Sequence, residues 1–222
     1  MKRALLSCLL VTATFAPARA GQERGPVPVS RMVMVHGIFQ AEWRAFGFLR
    51  RDLESRGVEC LVPSLKPADA RDGLPALARQ LKREIDARFG PEERIALVGF
   101  SMGGLVSRYY LQELGGAGRC DAFFTISTPH HGTAMARLCY GKGACQMRRG
   151  SPWLERLAET EERLGKIPVV SYRTPADLVI LPSRSSEWDR AVNISVLCPL
   201  HPMMPASPKV RQDILSRLKT PG

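Results

Sequence analysis

The run from Ile95 to Tyr109 restricts the folds open to this chain more than any other stretch. Ile95 to Val98 is an apolar segment of strand length. Met102, Leu105, Val106 and Tyr109 then recur at the i, i+3, i+4, i+7 spacing of one helix face. Strand gives way to helix at Ser101, with Gly99 two residues before it and Gly103 two residues after. A corner that sharp forces its central residue into a strained backbone conformation, and glycines on either side let helix and strand approach closely. The turn lifts the Ser101 hydroxyl clear of the sheet. It also leaves the Met102 N–H at a helix N-terminus, where it favours a developing negative charge.

The same alternation extends along the chain. Met32–Val35, Val58–Val62, Ala122–Ser127, Pro168–Tyr172 and Val192–Leu197 read as strands. Helices are marked by Trp43, Phe46, Leu49 and Leu53 before Gly57, and by Leu74, Leu77, Leu81 and Ile85 before Gly90-Pro91. Two more fall at Trp153–Leu164 and, through Val210, Ile214 and Leu218, near the end. Strands that are almost unbroken apolar runs, separated by helices, predict an α/β fold with a parallel sheet covered on both faces. The sizeable insertion is the stretch from 129 to 165, a lid or pocket rim in this reading, with Trp153, Leu154 and Leu157 expected to pack on the sheet.

Residues 1–20 carry Lys2 and Arg3, an apolar stretch to Ala16, and small residues at Ala18 and Ala20. That is the pattern of a secretory signal peptide cleaved near Ala20, so the protein is expected in the periplasm or outside the cell. About 200 residues then remain for residues 21–222, enough for one domain around a single core. The net charge of +11 falls to +8 once Lys2, Arg3 and Arg19 leave, with Lys and Arg going from 32 to 29 against 21 acids. The cations are spread over helix faces and no aromatic-interleaved basic stripe is present, so no nucleic-acid partner is expected. Peripheral contact with a lipid surface fits the basic surplus. Cys139 and Cys145 flank Tyr140-Gly141-Lys142-Gly143-Ala144, a short flexible loop, and an exported chain is expected to bridge them. Cys60 and Cys120 lie in apolar runs and are expected as buried thiols.

Val98 to Gly104 resembles the nucleophile elbow of α/β-hydrolases, in particular of bacterial lipases and esterases. His36-Gly37-Ile38-Phe39 resembles the oxyanion turn of the same families, and Thr128-Pro129-His130-His131-Gly132-Thr133 resembles the Pro-His-x-Gly-Thr stretch of bacterial lipases. The resemblance implies a compact α/β-hydrolase fold of about six mostly parallel strands in the order 2-1-3-4-5-6, with helices on both faces. Its switch point falls between the His36-Gly37 turn and Ser101, where such folds bind ligands.

A serine hydroxyl needs a base to take its proton and an acid to hold that base. In the hydrolase order, acid and histidine follow the serine. Of four histidines, His36 precedes Ser101, and His130 and His131 precede any acid that ends a later strand, which leaves His201. Asp177, beyond the fifth strand, resembles the family's acid and is preferred to Glu187 and Asp189. The resemblance makes the Ile38 and Met102 N–H groups the oxyanion donors, with the register at Ile38 open by one residue. It puts Phe39 and His36 at the substrate, His36 chiefly as a brace of its loop. Adjacent His130 and His131 read as crevice wall; no metal ligands and no cofactor are assigned. The implied activity is serine carboxyl-ester hydrolysis on an ester or lipid. An acyltransferase or thioesterase shares every residue named, and a non-catalytic envelope binding protein is the rival from another class.

Overall fold

Six strands pair side by side in one sheet, all parallel: β1 (Arg31–Val35), β2 (Glu59–Leu61), β3 (Ile95–Phe100), β4 (Cys120–Ile126), β5 (Val169–Arg173) and β6 (Val192–Ser195). Their order is β2-β1-β3-β4-β5-β6, the order expected. The computed structural model describes residues 25–39 and 42–221, without the side chains of residues 42–45. The expected signal peptide, Gln40 and the Trp43 side chain therefore lie outside the described residues.

Register explains the two-sided burial. Val33 lies opposite Leu97, Leu97 opposite Phe123 and Phe123 opposite Val169; one residue on, Met34, Val98, Phe124 and Val170 are aligned in the same way. Side chains alternate between faces along a strand, so the two rows feed two separate cores. A slip of one residue would exchange the faces, which pins the register. The helices are α1 (Glu42–Glu54), α2 (Leu74–Phe89), α3 (Met102–Glu113), α4 (Lys142–Gln146), α5 (Pro152–Glu159) and α6 (Pro208–Ser216). Phe46, Leu49 and Leu53 of α1 and Val210 and Ile214 of α6 join the second row, while α2, α3 and α5 cover the first.

Three local expectations change. The last helix stops at Ser216, because Leu218–Lys219 pairs in parallel with Val27–Pro28; the Val27 and Val29 N–H groups take up the Arg217 and Lys219 carbonyls at 2.9 and 3.0 Å. In α3, Tyr110 is the buried ring, and half-buried Tyr109 stacks on Trp153 with centroids 5.9 Å apart. That helix is buried almost all round, so its apolar period does not select a face. The expected helix from Trp153 to Leu164 is α5 followed by a 3-10 turn at Glu161–Leu164, with Leu154, Leu157 and Leu164 in the core.

The expected bridge between Cys139 and Cys145 is corrected: both thiols are free. The loop between them is not open chain but leads into α4, whose Lys142 and Gly143 N–H groups donate to the Arg71 and Ala70 carbonyls at 3.1 and 3.0 Å. That docking directs the segment toward α2 instead of closing it on itself. Cys120 is buried and Cys60 half-buried, and burial pushes both thiols up to about 12. Among the described residues, no helix is long and apolar enough to cross a membrane.

Candidate active site

At the end of β3, Ser101 has φ 53° and ψ −124°, a conformation that side chains other than glycine rarely adopt. Its neighbours enforce it. A Cβ on Gly103 would lie 2.1 Å from the Val35 carbonyl oxygen, and one on Gly99 would lie 2.4 Å from the Gly104 Cα. The Ser101 N–H donates to the Ile126 carbonyl at 2.8 Å, which ties the corner to β4. The hydroxyl-bearing residue thus opens α3, whose first N–H groups have no partner inside the helix.

The His36-Gly37 turn ends the neighbouring strand β1 and presses against this corner. A Cβ on Gly37 would meet the Phe100 ring and the Ser101 Cβ, each at 3.2 Å. His36 is buried, and both of its ring nitrogens are engaged: the Leu65 N–H donates to Nε2 at 3.2 Å, so Nδ1 carries the proton given to the Gly37 carbonyl at 2.9 Å. With both nitrogens engaged, His36 braces the turn and offers a ligand no polar atom. Phe39, at φ 56°, is 69 % exposed, and its N–H already donates to the Ala68 carbonyl at 3.0 Å. Among the described residues, no hydrogen bond is made by the Ile38 N–H.

Asp177 and His201, from two later loops, meet directly. The His201 Nδ1 donates to Asp177 Oδ2 at 2.8 Å, while Oδ1 accepts the Val179 and Ile180 N–H groups at 2.9 and 2.8 Å. Burial pushes the Asp177 carboxyl up, but the His201 bond and charge and the two N–H groups outweigh it and hold the carboxyl below its usual range. Above the imidazole lies Phe100, with ring centroids 4.8 Å apart, so His201 rests on the residue that precedes Ser101. Among the described residues, no hydrogen bond joins the Ser101 hydroxyl to His201. The competing acids lie elsewhere: Glu187 pairs with Arg173 at 2.7 Å, and Asp189 is exposed.

Two polar groups that local spacing does not mark stand out, one clamping this arrangement and one behind it. Thr174, fully buried after β5, donates from Oγ1 to the Cys198 carbonyl at 2.8 Å and accepts the Cys198 N–H at 3.2 Å and the Ala176 N–H at 3.3 Å. One hydroxyl therefore fastens the loop carrying Asp177 to the loop carrying His201. The second is Arg108 on α3, buried beneath the insertion. It donates to Gln112, the Leu157 carbonyl and Glu161, each at 3.1 Å, and lies 4.1 Å from the Trp188 ring centroid. The sequence signal for Arg108 was a cation inside an apolar helix with no exposed face to take it.

His130 belongs to that second network. Thr125 Oγ1 donates to Ser171 Oγ at 2.8 Å, and Ser171 Oγ in turn donates to the Ser186 carbonyl at 2.6 Å. Thr125 must then accept from His130 Nε2 at 3.0 Å, which leaves Nδ1 to accept from Arg108 at 3.3 Å. The ring is held neutral; burial, with the charges of Arg108 and His131, keeps its pKa well below the usual value. His131 next to it is exposed. Among the described residues, no three His, Cys, Asp or Glu side chains gather as metal ligands.

The fold has solved counterparts. A lipase from Bacillus licheniformis in its mature form is 18% identical with a TM-score of 0.63, over 84% of this chain and 91% of that one. Lipase B from Aspergillus fumigatus is 16% identical with a TM-score of 0.65 over 75% of this chain, which spans only 44% of that protein. A pyrethroid hydrolase from Sphingobium faniae is 15% identical with a TM-score of 0.57, over 84% of this chain and 96% of that one. No functionally curated protein matches the sequence. A sequence profile of the alpha/beta hydrolase family matches residues 32–218, from the middle of β1 to beyond α6, and the chain belongs to that family.

Proposed function

We propose that the protein is a serine carboxyl-ester hydrolase of the lipase and esterase kind, acting through Ser101, His201 and Asp177. Ser101 Oγ attacks the ester carbonyl while His201 Nε2 takes its proton; the alcohol leaves with that proton, and water, activated by the same nitrogen, hydrolyses the acyl-enzyme. Asp177 holds the Nδ1–H tautomer and stabilises the imidazolium. The Ile38 and Met102 N–H groups receive the oxyanion. The observation that carries this reading is the 2.8 Å bond from His201 Nδ1 to Asp177, which frees Nε2 for Ser101. A serine hydroxyl turns freely about one bond, and catalytic contacts of this kind close when substrate is bound.

Support for an ester with an apolar acyl part comes from the loops around this point, where Phe39, Leu178 and Leu200 are all more than half exposed. Export with cleavage near Ala20 is part of the proposal, and N-terminal sequencing of protein recovered outside the cytoplasm checks it. The central experiment is labelling by a fluorophosphonate probe followed by peptide mapping. Modification of Ser101, lost in Ser101→Ala together with p-nitrophenyl ester cleavage, supports the assignment; label on another residue, or turnover retained by Ser101→Ala, refutes it.

A further inference from the structure

A cleft of 460 Å³ opens in the 129–150 part of the insertion, walled by His131, Ala134, Arg137, Arg149 and Gly150. A second hollow of 540 Å³ shares Arg137, Arg149 and Gly150 with it and adds Arg148. Three guanidinium groups and an imidazole therefore border two adjoining hollows, and no acidic residue lines either of them. Several arginines elsewhere are paired: Arg94, Arg119, Arg173 and Arg211 each hold a carboxylate. Among the described residues, Arg137, Arg148 and Arg149 hold none, and the Arg148 Nε is buried with no hydrogen-bond partner.

The walls are set by backbone contacts. Gly132, at φ 80°, brings its loop so near that a Cβ there would lie 2.7 Å from the Arg149 nitrogen. The Thr133 N–H donates to the Met147 carbonyl at 2.9 Å, and Ser151 Oγ donates to the Gln146 carbonyl at 2.6 Å. Like charges held together by a fixed frame repel one another unless an anion is present. The guanidinium fork matches paired oxygens, and several forks around one hollow suit a tetrahedral group that offers oxygens in several directions. The volume exceeds that of one such group, so the rest of a ligand has room.

We propose that this cleft binds the phosphate group of a ligand, either a lipid headgroup or a soluble phosphate ester. Its wall is fastened to the loop that begins at Asp177: the Ala134 N–H donates to the Leu181 carbonyl at 3.0 Å, and Thr133 Oγ1 donates to the Val179 carbonyl at 2.7 Å. The cleft wall is thereby joined to the loop that carries Asp177. The binding itself does not depend on the hydrolase reading.

The test is calorimetric titration of inorganic phosphate into the full chain at low ionic strength, alongside flotation with phosphatidylglycerol or phosphatidylcholine vesicles. Saturable phosphate binding should weaken by about tenfold or more in Arg137→Ala/Arg149→Ala. It should weaken in Arg137→Lys/Arg149→Lys as well, because an ammonium keeps the charge but loses the fork. Arginine-dependent retention on phosphatidylglycerol without binding of free phosphate assigns the lipid headgroup, and the reverse pattern assigns a soluble ester. Binding in neither arm, or binding that survives either double substitution, overturns the proposal. An unfolding midpoint close to the wild type's in chemical denaturation shows that the double variants are folded. Phosphate binding by Ser101→Ala keeps this test separate from the fate of the hydrolase reading.

Discussion

His201 and His130 are both buried, both sit in a loop just past the carboxyl end of a strand, and both share a ring nitrogen with another side chain. What separates them is the charge of their partners. The His201 Nδ1 faces a carboxylate that backbone N–H groups hold ionised, so a proton arriving on Nε2 is stabilised. His130 lies between a hydroxyl that must accept and a guanidinium that must donate, so an added proton would set N–H against N–H. One residue type thus serves as a proton carrier at the proposed site and as a neutral strut behind it. Burial holds the His130 ring neutral, and its neighbours reinforce that.

Substituting each histidine tests that contrast most severely. His201→Ala should lower ester turnover by about a million-fold, the loss seen when a serine hydrolase loses its base, with the unfolding midpoint nearly unchanged. His130→Gln should do the opposite, keeping most of the turnover while lowering the midpoint. Similar turnover losses in the two variants would erase the distinction. Next in size is Asp177→Asn, which leaves the geometry intact but favours the wrong imidazole tautomer; a loss of about ten-thousand-fold in kcat is expected.

Behind the site, Arg108→Ala probes the strut alone. It removes the guanidinium from the Leu157 carbonyl, which keeps the Gln112 amide, and from the part-exposed Glu161 carboxylate, which keeps the Trp188 N–H; losing such charged hydrogen bonds costs about 1.5–3 kcal/mol. Chemical denaturation reads that loss, and kcat of the folded enzyme should hold. Thr174→Val acts on the working side with a smaller effect. Once the clamp to Cys198 is gone, Asp177 and His201 lose register, and kcat should fall by about a hundredfold or less at unchanged KM. Thr174→Ser should restore it, since only the hydroxyl is needed.

How far these two regions could be read in advance follows from the sequence distance of their contacts. The elbow is local: strand, Ser101, glycines and helix fall within about a dozen residues, so spacing alone carries it. The strand order follows from the same short apolar runs together with the family likeness. Asp177 and His201 are nominated from separate loops, and the structure brings them to 2.8 Å. Arg108 and Thr174 escape notice because their meaning rests on partners far along the chain, Glu161 for one and Cys198 for the other. Tyr109 and Tyr110 exchange places for a related reason: the insertion covers the outer side of α3, and a helix buried almost all round has no single face for periodicity to find. The expected Cys139–Cys145 bridge fails because α4 docks on the Ala70–Arg71 backbone, a contact that nothing in the local spacing announces.

The smallest effect is the most specific to the strut. His130 has a folded pKa below its ordinary value of 6.5, so the unfolded chain binds its proton first as pH falls. The stability it lends is complete above about pH 6.5 and drains away below it, at up to about 1.4 kcal/mol per pH unit for one proton. Asp177, whose carboxyl is held below its ordinary value of 3.8, stays ionised through that window and adds no slope there. The charged groups around the His130 ring are Arg108 and its partner Glu161, with exposed His131 adjoining. Denaturation free energies measured from pH 7 to pH 5 should fall more steeply for the wild type than for His130→Gln. If His130→Gln keeps the full wild-type slope, the ring is not the neutral strut its hydrogen bonds describe, and the contrast with His201 fails at its weaker end.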